Sequence, residues 1–155
     1  DATLARLKNV SAEEAWSVLR RHRYTQQFEG GWQEIHPGGA RLVGRVVTAV
    51  FMPSRPDIHA YINAQGKKEG RVGPGQNSWV IDTLTRGDVL VVDLFGKIEN
   101  GTYIGDNLGT SIWTKTGTGV VVELSSVTVG PVGGVPAAVA VLVTLPASTL
   151  ACVRV

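Results

Sequence analysis

The run Gly105-Asp106-Asn107-Leu108 is the part of this chain best suited to hold a small ligand. A glycine, then Asp and Asn, at the start of a helical pattern leaves backbone N–H groups pointing outward beside the positive end of the helix dipole, a setting for a carboxylate or a phosphate. The alternative is that Asp106 or Asn107 merely caps the helix. Asp93 closes the Val-rich run that precedes this turn, and its expected place is the carboxyl edge of a sheet, where ligands of open α/β folds collect. Lys97, Lys67 and Lys68 could bring positive charge to that edge.

Other chemistries are poorly supplied. His22, His36 and His59 lack the close pairing of a zinc helix and read as surface or loop residues. The lone Cys152 reads as a small packing residue, and it excludes a disulfide framework and a Cys-based zinc cluster. The stretch from Gly39 to Gly44 is followed by Arg45 where a phosphate-binding loop requires lysine, and there is no dinucleotide fingerprint and no nucleophile elbow.

The elements that must position the turn are legible in part. The chain has 155 residues, 43% of them hydrophobic, which is one domain's worth with a core of ordinary size. Its 23 Val and 19 Gly favour strands joined by tight turns over a helical bundle. Ser11 and Glu14 form a capping box ahead of Ala15, Val18 and Leu19, so a helix is expected over 12–22. Tyr24 to Pro37 reads as a loop, Arg41 to Phe51 as a buried strand with Gly44 at a bulge or close contact, and Pro56 as the first turn of a short helical element carrying Ile58, Tyr61 and Ile62. Gln65 to Arg71 and Val72 to Trp79 read as an exposed loop.

Further along, Val89 to Leu94 has the continuous apolar character of a strand buried on both faces, and Asn100-Gly101 suits a two-residue hairpin turn. A helix is expected from Gly105-Asp106-Asn107-Leu108 to Lys115, stopping at Gly117, with a strand at Gly119 to Glu123. Strand, helix, strand in that order implies a right-handed parallel crossover, hence a partly parallel sheet. A last strand is expected at Val139 to Leu145.

Charge and hydropathy narrow the partners. Fifteen Lys plus Arg against thirteen Asp plus Glu leave +2, with no basic run longer than Arg20-Arg21-His22-Arg23, so a nucleic-acid partner is not expected. The most apolar run, Val135 to Leu145, is too short for a membrane helix. The single cysteine and the absence of a signal-peptide pattern in Asp1 to Arg6 point to a cytoplasmic location. Residues 119–155 hold 12 of the valines but only two charged residues, Glu123 and Arg154.

Three of these runs together, Gly87-Asp88-Val-Leu-Val-Val-Asp93, Gly105-Asp106-Asn107-Leu108 and Gly117-Thr-Gly119-Val-Val-Val, resemble the RraA-like family, which includes the regulator of ribonuclease E activity and aldolases of 4-hydroxy-2-oxo acids. Gln26 to Trp32 and Gln65 to Gly70 look like one subgroup of it, and the resemblance covers roughly Leu4 to Val122. It implies a single α/β domain over 1–155 with the swivelling β/β/α fold and a tail at 123–155 that is atypical. It also implies a homo-oligomer, trimeric or a dimer of trimers, with a site between subunits. In the family's aldolases the amides of the turn matching Gly105, Asp106, Asn107 and Leu108 hold the carboxylate of a small 2-oxo acid. A divalent metal, usually Mg²⁺, stabilises the enolate left by carbon–carbon cleavage. The family's metal-binding aspartate comes from an Arg-Asp pair after the strand matching Gly119 to Val122. Here that region reads Glu123-Leu-Ser-Ser-Val-Thr-Val-Gly130, with neither residue, so no catalytic or metal residue is assigned, although Glu123 or Asp106 could substitute as a ligand. Two expectations follow. Either the protein has diverged to a binding or regulatory role, or the natural chain carries Arg and Asp near Val127 to Val129.

Overall fold

A computed structural model describes residues 1–24, 33–34, 41–73, 75–94, 103–123 and 140–144. Their elements run α1 (Ala2–Leu7), α2 (Ala12–Arg21), β1 (Gln33–Glu34), β2 (Arg45–Val50), α3 (Pro56–Lys68), α4 (Gln76–Thr83), β3 (Asp88–Asp93), α5 (Asp106–Thr116), β4 (Gly119–Glu123) and β5 (Ala140–Thr144). The chain is therefore mixed α/β, and its sheet has the order β1-β5-β4-β3-β2.

Strands β2, β3 and β4 are parallel neighbours, in register from Arg45↔Asp88 to Val50↔Asp93 and from Leu90↔Val120 to Asp93↔Glu123. Parallel neighbours need a crossover, and α5 supplies it between β3 and β4. The tail strand β5 runs antiparallel to β4 and parallel to β1, so the sheet is partly parallel, as the order of elements predicts.

Alternation along the strands sets the core. Leu90 and Val92 of β3 and Val120 and Val122 of β4 turn to one face, where they meet Ile112 of α5, Ile81 of α4, and Leu84, Tyr103 and Ile104. Leu90, Val92, Ile112 and Val120 are wholly removed from water, each contributing about 1.5–3 kcal/mol of transfer free energy. On the edge strand β2, Val47 and Ala49 pack on this core while Val46 is 64% and Val50 60% exposed.

Several local readings hold in the structure. Ser11 Oγ accepts from the Glu14 amide at 3.1 Å, and Glu14 Oε2 accepts from the Ser11 amide at 2.8 Å, so the capping box starts α2. That amide is the main reason the Glu14 carboxyl titrates below its ordinary value. Helix α5 ends at Gly117, whose left-handed φ of 65° lets its N–H donate to Trp113 O at 2.8 Å. Gly44 is a close contact: a Cβ there would lie 2.6 Å from Gly87 O.

Others need correction. The expected loop over Gln65 to Trp79 is helical at both ends, because α3 continues to Lys68 and α4 begins at Gln76, while the described residues between them are not helical. The reason is tertiary: Gly66 lies against the Trp79 ring, and Gln76 Nε2 donates to Asn63 Oδ1 at 3.1 Å, so each helix end is held by the other. The expected strand at Arg41 starts only at Arg45, where its amide donates to Gly87 O at 2.9 Å. Helix α1, capped by Asp1 Oδ1 on the Thr3 amide, was not expected. The Asn100-Gly101 turn, Lys97, His36 and Cys152 lie outside the described residues. Among the described residues no helix is long and apolar enough to cross a membrane.

The lower end of the sheet is fastened by Asp88. This carboxylate is 5% exposed and accepts from the Thr85 amide at 2.7 Å, Thr85 Oγ1 at 2.8 Å and Arg45 Nε at 3.0 Å. Arg45 also donates to Asp1 Oδ2 at 3.2 Å and Arg86 O at 2.5 Å, so one guanidinium joins α1, β2 and the turn before β3.

Candidate functional site

Both α4 and α5 start at glycines in extended backbone, Gly75 at φ −171° and Gly105 at φ −115°, and neither start has a side-chain cap. Ser, Thr, Asp or Asn at the cap would have satisfied a first-turn amide, whereas glycine leaves that donor to water or a ligand. The N-cap position of α5 is thus Gly105, and Asp106 and Asn107 are its first two residues.

Asp106 nonetheless acts on its own turn. Its Oδ1 accepts from the Asn107 amide at 2.8 Å, so one of the donors expected to face a ligand is occupied by a carboxylate of the protein. The helix proper begins when the Gly109 amide donates to Gly105 O at 2.9 Å. Leu108 turns inward against the core, which fixes the first turn to the sheet.

Tyr103 joins the two helix starts. Its hydroxyl donates to Asn77 O, in the first turn of α4, at 3.2 Å, and its ring meets Phe51, just beyond β2, with centroids 4.7 Å apart. Burial pushes the phenol above its ordinary value, so it stays a neutral donor throughout the physiological range. Sequence reasoning missed both Tyr103 and the α4 start. The available signal was Gly75 before Gln-Asn-Ser, a helix start of the same glycine-led kind as Gly105.

Asp93 and Glu123 are register partners at the carboxyl ends of the adjacent strands β3 and β4, the edge from which the chain proceeds to α5. Lys67 and Lys68 sit exposed in the last turn of α3, and among the described residues neither makes an ion pair. His59 is exposed on α3, its Nδ1 3.4 Å from Gln76 Nε2, and His22 ends α2.

No family model matches this chain, and neither a curated protein nor a solved structure matches it. The site is therefore read from its own geometry. Among the described residues no group of three or more His, Cys, Asp or Glu converges as metal ligands would. Among the described residues the Mg²⁺ implied by resemblance therefore has no ready set of holders. What the arrangement offers is a glycine-led helix start, uncapped and fixed to a parallel sheet, with one carboxylate of its own at the mouth.

Proposed function

We propose that this chain is an RraA-like protein of the swivelling β/β/α type that binds the carboxylate of a small 2-oxo acid at the turn Gly105, Asp106, Asn107 and Leu108. The reaction class proposed is metal-assisted retro-aldol cleavage or decarboxylation, on oxaloacetate or a 4-hydroxy-2-oxo acid. The observation that carries the binding half is the uncapped start of α5 at Gly105, beside the carboxyl edge of a parallel sheet. A cytoplasmic homo-oligomer, threefold by resemblance, belongs to the same proposal, and the exposed Val46, Val50 and Met52 support burial between subunits.

A second reading, a binding or regulatory protein without catalysis, is favoured by the missing Arg-Asp pair after β4 and by the absence of a converging ligand set among the described residues. Oxaloacetate turnover with Mg²⁺ against chelator separates the two: metal-dependent pyruvate formation supports the enzyme, and none with retained binding supports the second reading. Binding itself is tested by calorimetry with oxalate and pyruvate on wild type, Asp106→Ala and Asp106→Ala/Asn107→Pro: alanine frees the Asn107 amide that Asp106 holds, and proline then removes it. Unchanged affinity would move the ligand elsewhere.

A further inference from the structure

Helix α3 has a face that the anion site does not use. Gly66 and Asn63 turn one side of it toward α4, against Trp79 and Gln76. Away from them, at steps of four, three and four residues, stand Asp57, Tyr61, Ala64 and Lys68, all exposed, Tyr61 to 65%. That spacing places the four on one stripe of the helix. We propose that this stripe is an interface between two copies of the chain, with their α3 helices packed antiparallel about a twofold axis.

The order of the residues is what selects a second copy as the occupant. In a twofold contact residue i faces j of the other copy while j faces i. An antiparallel pairing centred between Ile62 and Asn63 sets Asp57 against the partner's Lys68 and Tyr61 against the partner's Ala64, each pairing occurring twice. Opposite charges close both ends, and a large ring lies over a small side chain between them. A parallel pairing would set each charge against its like, which is unfavourable. Asp57 accepts from Arg55 at 2.7 Å through Oδ2 and is exposed, so its carboxylate is open to a lysine of the other copy. Gln65 Nε2 donates to Tyr61 Oη at 3.3 Å, which holds the ring along the helix and lowers the entropy lost on docking.

Thirteen residues make a helix about 20 Å long, too short for a standard interface of about 1,600 Å², so the association is expected in the micromolar range or weaker. The inference stands apart from the anion site and from threefold symmetry. Combined with a trimer it gives an even-numbered assembly of six; alone it gives a dimer.

Sedimentation of the full chain, followed from about 1 to 200 μM, tests it with wild type, Asp57→Lys, Lys68→Glu and an equal mixture of the two variants. Each single reversal is expected to weaken even-numbered assembly by about tenfold, two pairs being turned from attraction to repulsion. The mixture is expected to recover it, because each new charge then meets its opposite. Ala64→Arg, which fills the space facing Tyr61, is expected to weaken assembly in the same way. The proposal is overturned if wild type stays a single chain or an odd-numbered assembly throughout. It is equally overturned if the reversals leave association unchanged, or if the mixture associates no better than its components.

Discussion

Replacing Asp88 by alanine should destabilise the fold while leaving anion binding intact. The carboxylate is nearly buried and accepts from a backbone amide, a hydroxyl and a guanidinium. Its loss removes the bonds to the Thr85 amide and hydroxyl, at about 0.5–1.5 kcal/mol each, because Thr85 is exposed and water can take the place of the carboxylate. The Arg45 share is smaller, because that side chain is 47% exposed, keeps Asp1 and Arg86 O, and is screened by water. The total is about 1–3 kcal/mol, which for a chain of this length lowers the melting temperature by roughly 2–12 °C. The sign with pH follows from the carboxyl, held below its ordinary value first by the Thr85 amide, then by the Thr85 hydroxyl, with Arg45 a lesser contributor. Stability of this kind is present above the unfolded value of about 3.9 and is lost as pH falls through the folded one. Urea unfolding of wild type and Asp88→Ala should thus differ fully at neutral pH and converge in acid. A gap below about 0.5 kcal/mol at neutral pH, or one unchanged down to about pH 2, would refute the assignment.

Asp106→Ala removes a negative charge and frees the Asn107 amide, so oxalate should bind about two- to fivefold tighter by calorimetry; weaker binding would mean that the carboxylate itself holds the ligand. Gly66→Ala places a Cβ 2.1 Å from the Trp79 ring, and overpacking of about 1–3 kcal/mol should outweigh the roughly 1 kcal/mol gain in helix propensity, giving a lower melting temperature and an altered tryptophan emission. Intact mass and peptide sequencing over 123–155 should reveal Arg and Asp near Val127 to Val129 if the natural chain keeps the family's pair; agreement with the given sequence would instead support the non-catalytic reading.

Elements with a local cause were readable from the chain alone. The α2 box, the α5 stop at Gly117 and the β3 and β4 runs each depend on neighbours in sequence, and each lies where the spacing places it. The two helix ends within Gln65 to Trp79 were not readable, because a glycine against an indole and a glutamine reaching back to Asn63 are contacts between separate segments. At the site the turn itself was legible, but the Asp106 carboxylate folded onto the Asn107 amide and the Tyr103 bridge to Asn77 depend on side-chain placement that spacing does not encode.

The sheet order also carries a kinetic consequence. Strands β2, β3, β4 and β5 are neighbours both in space and along the chain, Glu123 meeting Ala140 across fewer than twenty positions, whereas Gln33 must find Val141 from about a hundred positions away. Strands β2 to β5 are therefore the expected folding nucleus, with β1 added to β5 afterwards. Truncations at Val92 or Val120 should slow refolding, and changes in β1 should mainly speed unfolding, so resistance to irreversible loss of structure is set by the strand that joins last while the rate of reaching the native state is set by the strands that pair first.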